Sequence, residues 1–475
     1  IAWHPDHMRL RYLNWTDNLQ FDWCISRQRF FGVAFPLWYR LDADGRPDHE
    51  HPLLADPSRL PVDPTSDGRT DFDHPIVATE AALPVDPMSD TPPGYQESQR
   101  DQPGGFTAEA DVFDTWFTSS LTPQIASGWT RSPERHRRLF PMDLRPQSHE
   151  IIRTWAFYTI AKAWLHERTL PWRTVAISGW VLDPDRKKMS KSKGNVVTPM
   201  HLLDQYGADA VRYWSLAARL GTDTAFDEKV FAVGRRLVMK LWNAAKYALA
   251  QSAPEGPVSH PLDLSFLARL RETAGKATTA FDDLDYAGAL DTVERFFWSG
   301  YTDNYLEMVK ARARSETDPP GRSSAVAAVQ QGLGVLLRLL APFLPYVTEE
   351  VWSWGFAAAT GLRTIHRAPW PSAVDFAGVP EGPETGAPFD AACAFLDAVR
   401  RAKSAAGATV GRQLARLRVE ASPRTVALLG PCLHDLASAA RAEGDVLGPR
   451  HGLEDGLFEV TEIELAEKPP RAAGA

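Results

Sequence analysis

Apolar residues along this chain follow three different rhythms. Between about 139 and 180 short apolar blocks alternate with one long amphipathic one. "LFPMDLR" reads as a short buried strand, and Ser148 to Arg168 predicts a helix with Ser148 as its N-cap. "TVAISGW", β-branched and uninterrupted, predicts a buried parallel strand. After Phe226 the period becomes helical. Val230, Leu237, Leu241 and Ala248 form an apolar stripe, while Arg236, Lys240 and Asn243 share another face at i, i+4 and i+7, with Lys246 at its edge. Two more long helices are expected at roughly 285–314 and 323–354, the second kinked at Pro342 and Pro345. Beyond a Pro/Gly-rich linker (369–388) the pattern reads helix, strand "QLARLRVEA", helix, strand "FEVTEIELA", a small α+β domain, and then a tail, "PPRAAGA", read as disordered.

The opening 40 residues are dense in aromatics and arginine. Residues 42–110 instead carry eleven prolines, and "LPVDPTSD" nearly recurs there as "LPVDPMSD". Two copies are too few for a solenoid, so the segment reads as a loop-rich insertion held by proline-set turns. The resulting division is 1–225 with the insertion, 226–368, and 386–468.

Composition narrows the class. Hydrophobic residues make up 44% of 475, enough for sizeable cores, and the absence of a long uninterrupted apolar run predicts no membrane span. Cys24, Cys393 and Cys432 stand far apart, which predicts neither a disulfide framework nor a bound metal and favours a reducing, cytoplasmic setting. A net charge of −8 argues against a general nucleic-acid coat but leaves room for a local basic surface. No signal-peptide pattern is present, and a chain that starts at Ile1 is expected to be the later part of a longer product.

One stretch is unlike the rest. "DPDRKKMSKSKGN" (183–195) packs Arg186, Lys187, Lys188, Lys191 and Lys193 around two serines, directly after the predicted buried strand. Ligands of open α/β sheets sit at the carboxyl ends of strands, so phosphate chemistry is expected there. A Walker-type loop does not fit, because no Gly-x-x-x-x-Gly-Lys-Ser/Thr occurs. A solvated charge run and a generic nucleic-acid patch remain open on composition alone.

The order Lys188-Met189-Ser190-Lys191-Ser192, followed by Gly194-Asn195, resembles the Lys-Met-Ser-Lys-Ser signature of class I aminoacyl-tRNA synthetases. "DWCISRQRFFG" (22–32), "DVFDTWFTSS" (111–120), "GADAVRYW" (207–214) and "LLAPFLPYVTEEVW" (339–352) extend the resemblance, and "DTW" favours the valyl branch. The resemblance implies the later half of a Rossmann-like α/β catalytic domain, then an all-α anticodon-binding bundle and a small α+β domain. It implies ATP with Mg2+, valine and valine tRNA as substrates and partners, and no protein-bound metal. Lys188 and Lys191 would neutralise leaving pyrophosphate while Ser190 and Ser192 shape the turn. Ser148, Glu150 and Met189 would belong to the ATP site, Trp23, Val112, Asp114 and Trp116 to the amino-acid pocket, and Arg236, Lys240, Asn243 and Lys246 to the tRNA face.

Three features depart from that family. "HPDH" (4–7) has Asp6 where His-x-Gly-His needs glycine, lies too close to "DWCISRQ", and is read as coincidence. No editing domain is recognised, although a hydrophobic pocket separates valine from its isostere threonine only weakly. Ser148-His149-Glu150 stands where relatives open a helix with Gly-x-Asp. The alternative reading is therefore a non-catalytic tRNA-binding paralog with a decayed ATP site.

Overall fold

The computed structural model describes residues 1–20, 22–49, 85–92 and 94–467, so the first proline repeat and the C-terminal tail lie outside the described residues. Two compact units are present, one formed by residues 1–182 with 220–224 and the other by 183–219 with 225–475.

The first unit is built on three parallel strands, β1 (Ala2–His4), β2 (Met142–Ser148) and β3 (Trp172–Ser178), in the order β1–β3–β2. The expected "TVAISGW" strand is the central one, with Val175, Ala176 and Ile177 buried. β2 departs from expectation. It begins three residues after the predicted start and is mostly not buried, with Leu144 45% exposed. Among the described residues it pairs only with β3, so one of its edges lacks the cover that a central strand receives. The crossover back to β3 is also not one continuous helix. A 3-10 turn (His149–Ile151) and a π turn (Ile152–Ala156) precede α1 (Phe157–Glu167), and Ser148 stands at the N-cap position without a side-chain cap bond. The π turn sets Trp155 parallel to Trp172, with ring centroids 5.4 Å apart. The Arg145 guanidinium lies 3.5 Å from the Trp155 centroid on β2's side. A small satellite core, Trp38 against Phe106, orders the described part of the proline-rich insertion.

The second unit is a helical bundle continued by a small sheet. Its helices are α2 (Glu228–Ala250), α3 (Pro261–Asp282), α4 (Tyr286–Arg295), α5 (Pro319–Leu340), α6 (Pro345–Thr360) and α7 (Ala387–Ala405). Leu237, Leu241 and Ala248 of the predicted stripe are buried, while Val230 is only half-buried. α3 was not expected as an element. Its inward face is built partly from Ser265, Ala268, Thr273, Ala274 and Ala277, small residues that carry little hydrophobic signal. The expected 285–314 helix breaks into α4, a π stretch (Phe296–Tyr305) and shorter turns. The expected 323–354 helix is two helices rather than one kinked helix, since Pro345 takes a first-turn position where its missing N–H costs nothing. By length and composition α5 would pass for a membrane span, yet 72% of its most apolar window is buried in the bundle. It is the core helix. The linker is braced, with Asp375 paired to Arg338 and Trp370 bonded to Thr278.

The terminal sheet places β4 (Leu414–Ala421) between parallel β5 (Leu447–Pro449) and antiparallel β6 (Phe458–Leu465). β5 is an addition to the predicted pattern, too short to show a period.

Candidate active site and nucleic-acid face

Parallel pairing brings the carboxyl ends of β1, β2 and β3 to one rim, with His4 opposite Ala176 and Ser148 opposite Ser178. The residues that follow build a connected polar cluster. His149 is buried, and its Nε2 lies 3.1 Å from Asp223 Oδ1, which also accepts the Trp180 amide at 2.8 Å. The Trp180 amide, followed by His149, holds the Asp223 carboxyl below the usual carboxylate range. Trp180's indole rests against the His149 ring and donates to Glu150 Oε2 at 3.1 Å. Gly179 makes this approach possible, since a Cβ there would fall 2.2 Å from Thr222 O. Beside the cluster, Ser148 Oγ and both amide atoms of Gln147 are buried with no partner, an arrangement that fits polar groups of a bound ligand. Sequence reading found Ser148 and Glu150 but not Trp180 or Asp223. Asp223 is 74 residues from His149, and nothing local marks it.

A second corner holds three of the four expected pocket residues. Asp114 caps the short Thr115–Ser119 helix through the Trp116 and Phe117 amides, and its other oxygen accepts from Arg27 at 2.8 Å. Val112 pairs with Arg27 in a two-residue ladder, and Gly32 closes over it so tightly that a Cβ would lie 2.6 Å from a Val112 methyl. Trp23 stacks on Tyr158, centroids 3.7 Å apart, and tilts toward Phe117. Burial, with Asp114 adding to it, pushes the Tyr158 hydroxyl up. Trp116, by contrast, is 38% exposed. Lys162 of α1 reaches the helix's Phe117 carbonyl at 3.0 Å, and burial lowers its ammonium to about 8. Tyr158 and Lys162 are therefore parts of this corner that no motif announced.

Hydrogen bonds tie the basic loop together. Asp183 and Asn195 staple its ends, Asn195 Nδ2 donating to Asp183 Oδ2 at 2.7 Å. Asp183 Oδ1 takes the Lys187 amide, while Asn195 Oδ1 takes the Ser190 amide at 2.9 Å. Ser190 and Ser192 hydroxyls lie 3.3 Å apart, and Lys188 is exposed. Met189 is half-buried, and the Lys191 side chain lies outside what the structure describes. Asn195, with Lys187 behind it, holds the Asp183 carboxyl below the ordinary range. A carboxyl with a depressed folded pKa contributes stability above its unfolded value and loses it only as pH falls through the folded one. The staple should thus survive through the ordinary carboxylate range and open in stronger acid. Asn195→Ala removes the bonds to Asp183 and Ser190, each worth about 1 kcal/mol. Tryptic cleavage between 186 and 193 should then accelerate roughly tenfold at neutral pH, and an unchanged rate would show that the loop is held by something else.

On α2, Arg236, Asn243 and Lys246 are exposed as expected. Lys240 is less available, since its ammonium is paired with Asp303 at 3.0 Å and lies 5.2 Å from the Trp298 centroid.

Residues 1–227 match the family profile of class I tRNA synthetases (I, L, M and V), and 263–416 match the anticodon-binding domain of tRNA ligase. The valine–tRNA ligase of Thermobifida fusca is 48% identical over 93% of this chain and 47% of its own length. Residues 1–227 belong to the class I tRNA synthetase family. Valine–tRNA ligases of Salinispora arenicola and Cutibacterium acnes are 47% and 44% identical, over 94% and 99% of this chain and 52% and 50% of theirs. The chain thus spans about half the length of these curated relatives. Solved synthetases share the fold. A LeuRS–tRNA–LeuAMS ternary complex from Agrobacterium radiobacter aligns at TM-score 0.52 and 21% identity, over 76% of this chain and 44% of that one. Methionyl-tRNA synthetase of Mycobacterium tuberculosis with methionyl-adenylate aligns at 0.51 and 18%, over 76% and 61%.

Proposed function

We propose that this synthetase chain carries the pyrophosphate-side and tRNA-side parts of a valine–tRNA ligase: ATP, valine and tRNA giving valyl-tRNA, AMP and pyrophosphate. In the first step the valine carboxylate attacks the α-phosphate of ATP and the bond to pyrophosphate breaks. The charge that develops on the leaving phosphates is the main burden on the protein. Lys188 and Lys191 answer it as point charges, on a loop whose backbone Asp183 and Asn195 hold in shape. The Mg2+ that accompanies ATP is taken as the nucleotide's own, and no protein ligand is assigned to it. Trp23, Val112, Asp114 and Trp116 are assigned to the valine pocket. Residues 1–225 are read as catalytic, 226–368 as anticodon-binding, and 386–468 as a supporting domain. A cytoplasmic location follows from this reading rather than from any feature of the fold. The part of the relatives that this chain does not match is taken as the source of the His-x-Gly-His element and of editing.

The observation that carries the proposal is the intact signature loop in a chain up to 48% identical to valine–tRNA ligases. Its test is valine-dependent ATP–pyrophosphate exchange in a polypeptide of the relatives' full length bearing these residues. Exchange with threonine alone, or none, would overturn it. The decayed-paralog reading is not favoured, because His149 and Glu150 are tied into one network with Trp180 and Asp223. A glutamate whose longer arm is held by an indole N–H can serve the nucleotide ribose as a shorter aspartate does. Glu150→Asp should therefore fall short of Trp180 and raise the KM for ATP about fivefold, the value of one hydrogen bond, with kcat little changed. If the substitution lowers that KM instead, the glutamate is a decayed residue.

A further inference from the structure

We propose that Lys162 is a positioning residue for the valine pocket. Its ammonium ties the Thr115–Ser119 helix, which starts at Asp114 and carries Trp116, to α1, and the pocket loosens when that charge is lost. The inference rests on the valine reading above and adds a residue that acts through the pocket rather than in it.

A five-residue helix does not hold itself together, so its ends depend on outside groups. Asp114 caps the start through the Trp116 amide at 2.8 Å and the Phe117 amide at 3.3 Å. The far end is held from the crossover. Trp155 Nε1 donates to Ser119 O and Lys162 Nζ to Phe117 O, both at 3.0 Å. Ser120 Oγ shares the Phe117 carbonyl at 2.6 Å, but Ser120 belongs to the same segment. The Lys162 ammonium also lies 3.5 Å from the Phe117 ring centroid. That ring stacks on Phe113 and tilts toward Trp23, with centroids 5.0 and 6.0 Å away. Tyr158, one turn earlier on α1, stacks on Trp23. One face of α1 therefore sets Trp23 through Tyr158 and the pocket helix through Lys162.

Packing alone does not call for a lysine here. Lys162 is 9% exposed, and lysines are seldom so buried without a partner charge. Among the described residues no carboxylate is paired with it, and burial lowers its ammonium to about 8. A methionine would cover the Phe117 ring as well, but only a donor can hold the carbonyl. Of the charged groups nearby, Asp114 is paired with Arg27, Glu167 is bonded to His136, and Arg153 of the π turn lies over Trp15. His166, one turn beyond Lys162, is held below its usual value by burial and by the Lys162 charge, while burial pushes Tyr158 above its own. Lys162 is thus the group on this face of α1 whose charge changes between about pH 7 and pH 9. Losing the proton ends the attraction to the ring and weakens the bond to the carbonyl. It also ends the cost of burying a charge. A lysine whose folded pKa lies below its unfolded one adds stability to the fold as pH rises between the two. The fold should hold while the pocket loosens, a divergence that a merely structural lysine would not show.

The test is the pH dependence of valine-dependent ATP–pyrophosphate exchange in a polypeptide of the relatives' full length bearing these residues. Wild type, Lys162→Met and Lys162→Arg are compared, with urea midpoints measured alongside. Near pH 7, Lys162→Met should raise the KM for valine about fivefold, the value of one hydrogen bond, with kcat and the KM for ATP little changed. Between about pH 7 and pH 9 the wild-type KM should climb toward that of Lys162→Met, without a fall in the urea midpoint. Lys162→Arg, which stays charged, should remain near the wild-type value of pH 7. Titration of valine itself is common to all three and cancels in their ratios. The wild-type profile needs no substitution, so it decides the matter even if Lys162→Met fails to fold. A wild-type KM that stays flat overturns the positioning role. So does an equal rise in Lys162→Met, or a lowered midpoint in that variant with its KM unchanged. Each of these leaves the valine reading intact, whereas a wild type without valine-dependent exchange overturns both.

Discussion

Lys191→Ala should slow valine-dependent ATP–pyrophosphate exchange by about a hundredfold or more in a polypeptide of the relatives' full length, and Lys188→Ala should do the same. The size follows from losing one preorganised charge where negative charge accumulates in the transition state, which is worth about 3 kcal/mol. The KM for valine should hardly move, because neither lysine is assigned to the amino-acid pocket. Lys187→Ala supplies the contrast. It removes the same charge one residue outside the signature, from a side chain that is exposed and 3.8 Å from Asp185, and it should cost less than about threefold on the scale of surface charges. Equal losses at 187, 188 and 191 would mean that the loop acts only through bulk positive charge. No loss at any of them would reduce it to a solvated run.

The contrast between 187 and 191 also shows what a single sequence makes legible. The loop could be read because its chemistry lies in contiguous order, and β3 because a β-branched apolar run has few folds open to it. Trp23 was assigned to the pocket by resemblance, but its stacking partner Tyr158 arrives from α1 and has no motif of its own. Asp223 is the same case at longer range, an acid in a turn that acquires meaning only when Trp180 and His149 are folded onto it. α3 was missed for a different reason. Its first half buries Leu262, Phe266, Leu267 and Leu270, but beyond them the buried face is only Thr273, Ala274 and Ala277, and near its start stands Asp263, a charged residue that pattern reading assigns to solvent. Lys240 is a further case, because nothing in the helical period announces Asp303, which stands 3.0 Å from its ammonium.

Asp263 leads to the largest expected effect on stability. Arg312 Nη1 and Nη2 donate to the two Asp263 oxygens at 2.8 and 2.7 Å, and its Nε donates to Asp435 at 2.9 Å. Tyr305 and Ser324 complete the shell of Asp263. Side-chain exposure is at most 4% for all three charged residues. The knot joins α3 to the Leu433–Ala440 helix of the α+β domain, so it fixes that domain on the bundle. Arg312→Met keeps much of the volume but leaves two carboxyls buried without their cation, which costs about 3–5 kcal/mol. The exposed pair Arg295–Asp291 should cost within about 0.5 kcal/mol when broken. Acidity separates this mechanism from simple loss of packing. Burial, only partly opposed by Arg312, already raises the Asp435 carboxyl above the ordinary range. A carboxyl raised in the folded state contributes stability at low pH and loses it as pH rises through its folded value. Removing Arg312 raises it further, so the destabilisation by Arg312→Met should be largest near neutrality and shrink as the carboxyls protonate on acidification. Urea midpoints of wild type and variant, compared near pH 5 and near pH 7.5, read this directly. A difference that stays constant between the two would mean that water reaches the orphaned carboxylates and that the charge argument for the knot is wrong.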